Sequence, residues 1–247
     1  MTADGDRPES SQDSASPINR APEQTRRVYD EIATHFSQTR AYPWPEVTDF
    51  LRDAETLANR QIGLDIGCGN GRHTEPLAGI VSRAVGADIS RELLFEARSA
   101  MDADSARRWR AALVQADSAA LPFADDCVDV GVYVATLHHL PDRERRVESL
   151  RELARVLSPT GQALVSAWST EHDRFADHAG EDGFDTTIDW TLPGGETVPR
   201  FYHIYAPAEF EADLRDGGLK IQSSVVSSGN CYAVVSSEAN GKTLNSE

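Results

Sequence analysis

The stretch Gly63-Leu-Asp65-Ile-Gly67-Cys-Gly69-Asn-Gly71 predicts the fold of this chain. It follows an apolar entry at Ile62 and leads into a polar segment that can begin a helix. A strand, a glycine-rich turn and a helix in this order are typical of nucleotide-cofactor folds. Glycine adopts backbone angles that are closed to other residues, and its missing side chain lets a ligand lie against the main chain. An ordinary tight turn would show the same glycines, so the rest of the chain has to decide.

Beyond this turn, strands and helices alternate, and the connections between strands are too long for hairpins. Helices are predicted at 23–39, 45–57, 74–81, 142–157 and 208–216, with a further helix after Ser90. Strands are predicted at 61–65, 83–88, 111–115, 127–134, 162–168, 201–205, 220–226 and 232–236. The pattern predicts one α/β domain with a mainly parallel sheet over residues 21–236. We expect an insertion or flap at the polar residues 171–198, and disordered tails at 1–20 and 237–247.

The composition favours a soluble cytoplasmic protein. No apolar run approaches the roughly 18 residues that cross a bilayer, and the N-terminus has no pattern of a signal peptide. Cys68, Cys127 and Cys231 fit neither a zinc pattern nor a disulfide framework, which favours a reducing cytoplasm and predicts no metal site. The formal net charge is −16, and Lys220 and Lys242 are the only lysines. This favours a salt-adapted protein from a halophilic cell, because salt screens surface carboxylates; an ordinary acidic cytosolic enzyme is the alternative.

Acidic residues follow three successive predicted strands. Asp65 closes the first strand, Asp88 closes the second, and Asp117 comes after the third. Because the carboxyl ends of parallel strands meet at one edge of a sheet, these acids are expected to face one crevice. Asp88 is placed to accept hydrogen bonds from a ribose diol, and Asp117 from an adenine amino group. Each acid alone is also explained as a solvated strand end or a helix cap, but their joint placement favours a nucleoside-containing ligand.

Two classes of cofactor compete for this crevice. A nicotinamide dinucleotide requires a G-x-G-x-x-G turn with its pyrophosphate at a helix N-terminus. Here the glycine spacing is G-x-G-x-G, and Asp65 lies beside the turn, where a carboxylate repels a pyrophosphate and attracts an ammonium group. The residues therefore favour S-adenosylmethionine, which is cationic and contains no phosphate.

The chain resembles the class I S-adenosylmethionine-dependent methyltransferases over about residues 24–168. The resemblance rests on the glycine turn, on Asp88, on Ala116-Asp117-Ser118 with Leu121-Pro-Phe123, and on Asp129-Val-Gly-Val-Tyr-Val134. It implies a Rossmann-like α/β fold whose seven-stranded sheet has six parallel strands, an antiparallel last strand and helices on both faces. It also implies a set of cofactor-binding residues, namely Asp65, Gly67, Cys68, Gly69, Gly71, Asp88, Ile89, Asp117, Ser118 and Val134.

Finer features resemble one branch of this class, the tRNA wobble-uridine carboxymethyl methyltransferases. They are Val28-Tyr29 to Arg40 with Trp44-Pro45, His138-His139 with Arg143 to Glu148, Trp190-Thr-Leu-Pro193, and Arg200 to Tyr205. The resemblance implies that the chain esterifies the carboxylate of a 5-carboxymethyl-type uridine in tRNA. It further implies a small zinc-binding activator subunit as partner, for which the short edge strand Ala111–Val114 offers unpaired backbone groups.

A carboxylate acceptor is already ionised at neutral pH, so the reaction needs positioning and not a general base. We therefore expect a clamp of arginine and aromatic side chains, with Arg40, His138 and Tyr29 as catalytic residues and Arg200, Tyr202 and His203 as substrate-binding residues. Tyr29 is alternatively a core aromatic, Arg40 a ligand of the cofactor carboxylate, and His138 or His139 a partner of loop carbonyls. The cluster Arg143, Arg145 and Arg146 is either a solvated helix face or an RNA-facing surface.

Two other functions remain open at this point. The chain is alternatively a small-molecule methyltransferase of the same fold, since fold does not determine substrate and the acidic composition disfavours nucleic acid. It is alternatively a regulatory subunit that binds the cofactor without turnover.

Overall fold

The computed structural model describes residues 21–56, 60–103, 111–178 and 182–238, so the tail predicted at 1–20 and most of the one at 237–247 lie outside the described residues. The helices are α1 (Ala21–Thr39), α2 (Pro45–Ala54), α3 (Thr74–Ile80), α4 (Arg91–Ala103), α5 (Arg143–Val156) and α6 (Pro207–Asp216). The strands are β1 (Ile62–Ile66), β2 (Arg83–Asp88), β3 (Ala111–Gln115), β4 (Val128–Val134), β5 (Leu157–Trp168), β6 (Phe184–Thr191), β7 (Thr197–Ile204), β8 (Leu219–Ser227) and β9 (Asn230–Ser237). Two 3₁₀ segments cover Leu137–His139 and Asp173–His178.

Seven strands form one sheet in the order β3-β2-β1-β4-β5-β9-β8. Strands β1 to β5 pair in parallel, and β9 is antiparallel to both of its neighbours, β5 and β8. Six strands therefore point in one direction and only β9, the last strand of the chain, points in the other. The predicted fold class is confirmed, and so is the pairing of the two final strands, with β8 at the sheet edge.

Apolar side chains cover both faces of this sheet. Along β9 they alternate, because Ala233 packs into the cluster on one face and Tyr232 into the cluster on the other. The first face is covered by α5 and α6, for example through Leu150. The second is covered by α2 and α3, for example through Phe50 and Leu77. None of the helices in the described ranges is long and apolar enough to cross a membrane.

Strands β6 and β7 form a separate antiparallel pair, here called the flap sheet. Its side chains alternate between two environments, as expected of a strand with period two. Ile188, Trp190, Val198, Arg200 and Tyr202 are buried on one face, whereas most residues between them are exposed. The buried face contacts α1 and the 3₁₀ segment before α5. Part of the segment that the sequence marks as an insertion thus forms one strand of a sheet that covers the carboxyl edge.

Candidate active site

A cavity of about 490 Å³ lies between the carboxyl ends of the central strands, α1 and the flap sheet. It brings together most of the predicted site residues: Tyr29, Arg40, Gly67, Cys68, Gly69, Asp88, Ile89, Asp117, Ser118, Val134, His138, Arg200 and Tyr202. Asp65, Gly71 and His203 do not line it. Most of the predicted residues thus converge on one cavity, and their roles stay predictions.

The glycine turn gives the cavity a wall of bare main chain. Gly67 and Gly69 have φ angles of 69° and 54°, in the region that favours glycine. A Cβ atom at Gly67 would lie 2.1 Å from Thr136 Oγ1, so no other residue fits there without movement. At Gly69 the nearest atom would be a Phe36 ring carbon at 3.5 Å, which leaves room for a ligand. Gly71, with φ of 83°, shapes the end of the turn outside the cavity.

Asp88 is built to accept further hydrogen bonds. Its two carboxylate oxygens accept from the backbone N–H groups of Gly69 and Ser90, each at 2.8 Å. Burial raises the pKa of the Asp88 carboxyl to about 6, while these hydrogen bonds oppose the shift. Each carboxylate oxygen has more than one lone pair, so the side chain can still accept from a diol in the cavity.

Asp65 does not line the cavity, so its predicted contact with the ligand stays a prediction. Its side chain is 1% exposed and accepts a 2.6 Å hydrogen bond from Thr74 Oγ1 at the start of α3. Burial raises the pKa of its carboxyl to about 7. The strand β1 ends one residue later than predicted, at Ile66, and the hydrogen bond ties Asp65 to the first residue of α3.

The arginines of α5 form internal ion pairs. Arg145 pairs with Asp117 at the cavity, Arg143 Nε lies 2.8 Å from Asp213 Oδ1, and the buried Arg146 lies 3.9 Å from Asp213 Oδ2. Arg143 is half exposed, whereas Arg145 and Arg146 are mostly buried, and an RNA-facing role of this cluster stays a prediction. Arg145 is a site residue that the sequence did not reveal, because its partner comes from a distant strand end.

Two guanidinium groups face one indole ring that lines the cavity. The Cζ atoms of Arg40 and Arg200 lie 5.3 and 4.8 Å from the ring centroid of Trp190, within cation–π distance. Trp190 is fixed in turn by a 3.0 Å hydrogen bond from its Nε1 to His35 Nδ1. Neither arginine forms an ion pair with a residue in the described part of the chain, although Arg200 is only 9% exposed. We call Arg40 and Arg200 the arginine clamp.

Tyr29 is oriented toward the clamp by a neutral histidine. His139 Nδ1 lies 2.9 Å from the carbonyl oxygen of Phe201, so it must donate, and Nε2 therefore accepts from the Tyr29 hydroxyl at 2.6 Å. Burial lowers the pKa of His139 to about 3. With its proton committed to His139, the Tyr29 oxygen keeps lone pairs that can accept a hydrogen bond. Burial raises the pKa of Tyr29, and the charge of Arg200 opposes that rise. Both adjacent histidines thus belong to the site.

His138 is a fixed donor beside an aromatic wall. Its Nδ1 accepts from the backbone N–H of Trp168 at 3.0 Å, and burial lowers its pKa well below the usual value. The ring is therefore neutral, with its proton on Nε2. Tyr202 stacks on Trp168 at 5.0 Å and lies 4.9 Å from His138, which gives the cavity a flat aromatic side.

Arg72 is a second site residue that the sequence did not reveal. It lines the cavity directly after the glycine turn, with its Cζ 5.1 Å from the ring centroid of Trp44. Burial, followed by the charge of Arg40, lowers its pKa to about 10. Among the described residues it has no ion-pair partner, so it is free to bind an anionic group at this end of the cavity.

Comparisons with known proteins agree with this site. A family model described as a methyltransferase domain matches residues 64–165. The chain is 36% identical over 189 residues to a tRNA (carboxymethyluridine(34)-5-O)-methyltransferase of Saccharomyces cerevisiae, a match that covers 74% of this chain and 63% of that protein. It is 32% identical over 216 residues to the Schizosaccharomyces pombe protein of the same name, covering 79% and 88%. A solved structure titled "DhpI-SAH complex structure" superposes with a TM-score of 0.62 at 20% identity, covering 89% of this chain and 98% of that one.

The sheet order, the glycine turn and the acid after β2 define a class I S-adenosylmethionine-dependent methyltransferase domain. Within that class, the chain belongs to the family of tRNA (carboxymethyluridine(34)-5-O)-methyltransferases. The resemblance stated from the motifs is thereby confirmed. The chain spans just under two thirds of the length of the budding-yeast relative.

The residues present fit the cofactor of this class. Asp88 retains acceptor capacity for a ribose diol, Gly69 leaves open space beside the turn, and Arg72 offers a cation for an amino-acid carboxylate. When bound, S-adenosylmethionine supplies an electrophilic methyl group.

We expect Asp88→Asn to weaken binding of S-adenosylhomocysteine about tenfold or more, because a charge-assisted hydrogen bond contributes roughly 1.5–3 kcal/mol. Titration calorimetry at pH 8 measures it, since the wild-type carboxyl is ionised there and affinity should fall as the pH drops through about 6. The exposed Asp102→Asn on α4 is the matched control. Unchanged affinity in Asp88→Asn would remove this residue from the cofactor site.

Proposed function

We propose that this chain transfers a methyl group from S-adenosylmethionine to the carboxylate of a 5-carboxymethyl-type uridine at the wobble position of tRNA. The observation that carries the proposal is the arginine clamp, whose two cations line the cavity without a described ion-pair partner. The names of the relatives support the nucleic-acid part of the proposal.

A buried cation without a counter-ion is unfavourable, and an incoming carboxylate relieves this cost. The planar guanidinium of Arg200 can bind a carboxylate through two parallel hydrogen bonds. It lies 4.8 Å from the ring centroid of Trp190 and 5.1 Å from that of Tyr202. Arg40 approaches the same indole from α1 and adds a second positive charge. The site therefore selects an acceptor that is an anion before it reacts.

The proposed reaction needs no general base, and the protonation states of the two histidines are consistent with this. A carboxylate is already ionised and can attack the methyl group without losing a proton. The remaining requirements are its alignment with the methyl group and the exclusion of water. His138 keeps its proton on Nε2 and can donate to an oxygen of the substrate, but it cannot accept a proton at that nitrogen. The flat side formed by Trp168 and Tyr202 is suited to stack against a pyrimidine ring.

We expect Arg200→Gln to lower kcat/KM on tRNA about a hundredfold, since removing a charged partner from a desolvated pair costs roughly 2–5 kcal/mol. The assay uses labelled S-adenosylmethionine with total tRNA that lacks the methyl ester, followed by digestion and identification of the labelled nucleoside. Arg98→Gln, an exposed arginine on α4, is the control and should keep wild-type activity.

The same assay separates the alternatives. The net charge of −16 favours a small-molecule methyltransferase of this fold, and label in small metabolites instead of tRNA would establish it. Label in no acceptor would favour a regulatory subunit. Near-normal turnover on tRNA by Arg200→Gln would contradict the clamp as the carboxylate site.

We propose further that a small zinc-binding activator subunit pairs with β3. Support comes from the sheet order, in which β3 is the terminal strand and pairs with β2 alone within the described ranges. Co-expression with a candidate activator should give a stable complex that Ala112→Lys disrupts, because a charge on an edge strand blocks strand addition. Val225→Lys, exposed on the opposite edge strand β8, should leave the complex intact. A lone chain that is soluble and fully active would contradict the partnership.

We also propose a salt-adapted protein of a reducing cytoplasm. The excess of carboxylates and the near absence of lysine support the first part, and the free thiols of Cys68, Cys127 and Cys231 support the second. In thermal melts over a potassium chloride series, the melting temperature should rise toward molar salt, where the Debye length falls to about 3 Å. A maximum at low salt would contradict adaptation.

A further inference from the structure

We propose that His203 is a positioning residue of this methyltransferase. Held as an imidazolium ion between Asp185 and Glu209, it fastens the base of the flap sheet to α6. In this way it keeps Arg200 and Tyr202, on the opposite face of the same strand, over the cavity. The effect on tRNA rests on the proposed function, whereas the charge and the anchoring do not.

The geometry around His203 favours protons on both ring nitrogens. Nδ1 lies 2.7 Å from Asp185 Oδ1, and Nε2 lies 3.0 Å from Glu209 Oε1, with the ring buried. Ionised carboxylate oxygens only accept, and a neutral imidazole donates from one nitrogen only. A neutral ring would therefore place a bare nitrogen lone pair against a carboxylate oxygen. Protonation of both nitrogens turns both contacts into charge-assisted hydrogen bonds.

The groups that surround the His203 ring are consistent with an imidazolium ion. Besides its two carboxylate partners, the ring faces the edge of Tyr205 at 4.5 Å between centroids. Arg146 on α5 lies 4.0 Å from Glu209 Oε1 and 3.9 Å from Asp213 Oδ2, so it is shared between two carboxylates. Without the imidazolium, Glu209 would have only the more distant guanidinium.

The contact lies where the flap sheet leaves the rest of the domain. Asp185 is the direct register partner of His203 between β6 and β7, and Glu209 belongs to the first turn of α6. The backbone of Gly183, just before β6, lies close to the Glu209 carboxylate, since a Cβ atom at this position would clash with Glu209 Oε2. The base of the sheet is thus tied to α6, while its other end reaches α1 through Trp190 and His35.

Loss of the His203 contacts should affect the binding of substrate more than the binding of the cofactor. Arg200 has no ion pair of its own in the described structure, so its position depends on the strand that carries it. The cofactor end of the cavity is built from β1, β2 and the glycine turn, which the flap sheet does not support. Loosening the base of the flap sheet should therefore raise KM for tRNA and leave the affinity for S-adenosylhomocysteine unchanged.

The direct test is ¹⁵N NMR on histidine-labelled protein, with His203→Gln used to assign the signal. Both ring nitrogens of His203 should carry protons at pH 7. In His138 and in His139, only one of the two ring nitrogens should be protonated. A single-proton signal from His203 would overturn the proposal, whatever substrate the enzyme uses.

Hydrogen exchange tests the anchoring separately. In His203→Gln and Glu209→Gln, amides of β6 and β7 should exchange at least about tenfold faster, as in a local opening, with the seven-stranded sheet unchanged. The exposed Asp182→Asn, at the same end of the flap sheet, is the control. In the tRNA assay, KM should rise about tenfold with calorimetric affinity for S-adenosylhomocysteine preserved. Unchanged exchange in both variants would overturn the anchoring, and this readout stays valid even if tRNA proves not to be the substrate.

Discussion

Two arginine side chains that lack a carboxylate partner are the constraint on which the rest of this structure depends. The chain carries a net charge of −16, yet Arg40 and Arg200 meet at one indole without an ion pair to any described acid. Arg40 is exposed, whereas Arg200 is buried. An anion that enters the cavity would therefore relieve the cost of burying the charge of Arg200.

The two ends of the cavity are built in different ways. At one end, short-range geometry dominates: glycines with positive φ leave bare main chain, and Asp88 is fixed by two backbone N–H groups. At the other end, side chains from α1, the 3₁₀ segment and the flap sheet converge. The orientations of Tyr29 and His139 are fixed there by their hydrogen bonds to each other and to the carbonyl oxygen of Phe201. Burial keeps the histidines neutral, so positive charge in that part of the cavity comes from the arginines.

The sequence predicted the features that depend on neighbours along the chain. The glycine turn and the sheet class follow from local spacing, and the sheet class is confirmed. Spacing does not show which way a side chain near a strand end points: Asp65 accepts from Thr74 on the next helix and does not line the cavity. His203, predicted to bind substrate, does not line the cavity either, since its side chain contacts Glu209 on α6.

Other parts of the site could not be read from one sequence because their partners are far apart in the chain. Arg145 reaches Asp117, and Trp190 reaches α1, only after the sheet has assembled.

The most direct measurement is calorimetry with an anticodon stem-loop that carries either 5-carboxymethyluridine or its methyl ester, in the presence of S-adenosylhomocysteine. If the arginine clamp holds a carboxylate, the acid should bind at least about tenfold tighter than the neutral ester, a difference of about 1.4 kcal/mol. Equal affinity for the two oligonucleotides would show that the two cations serve another purpose.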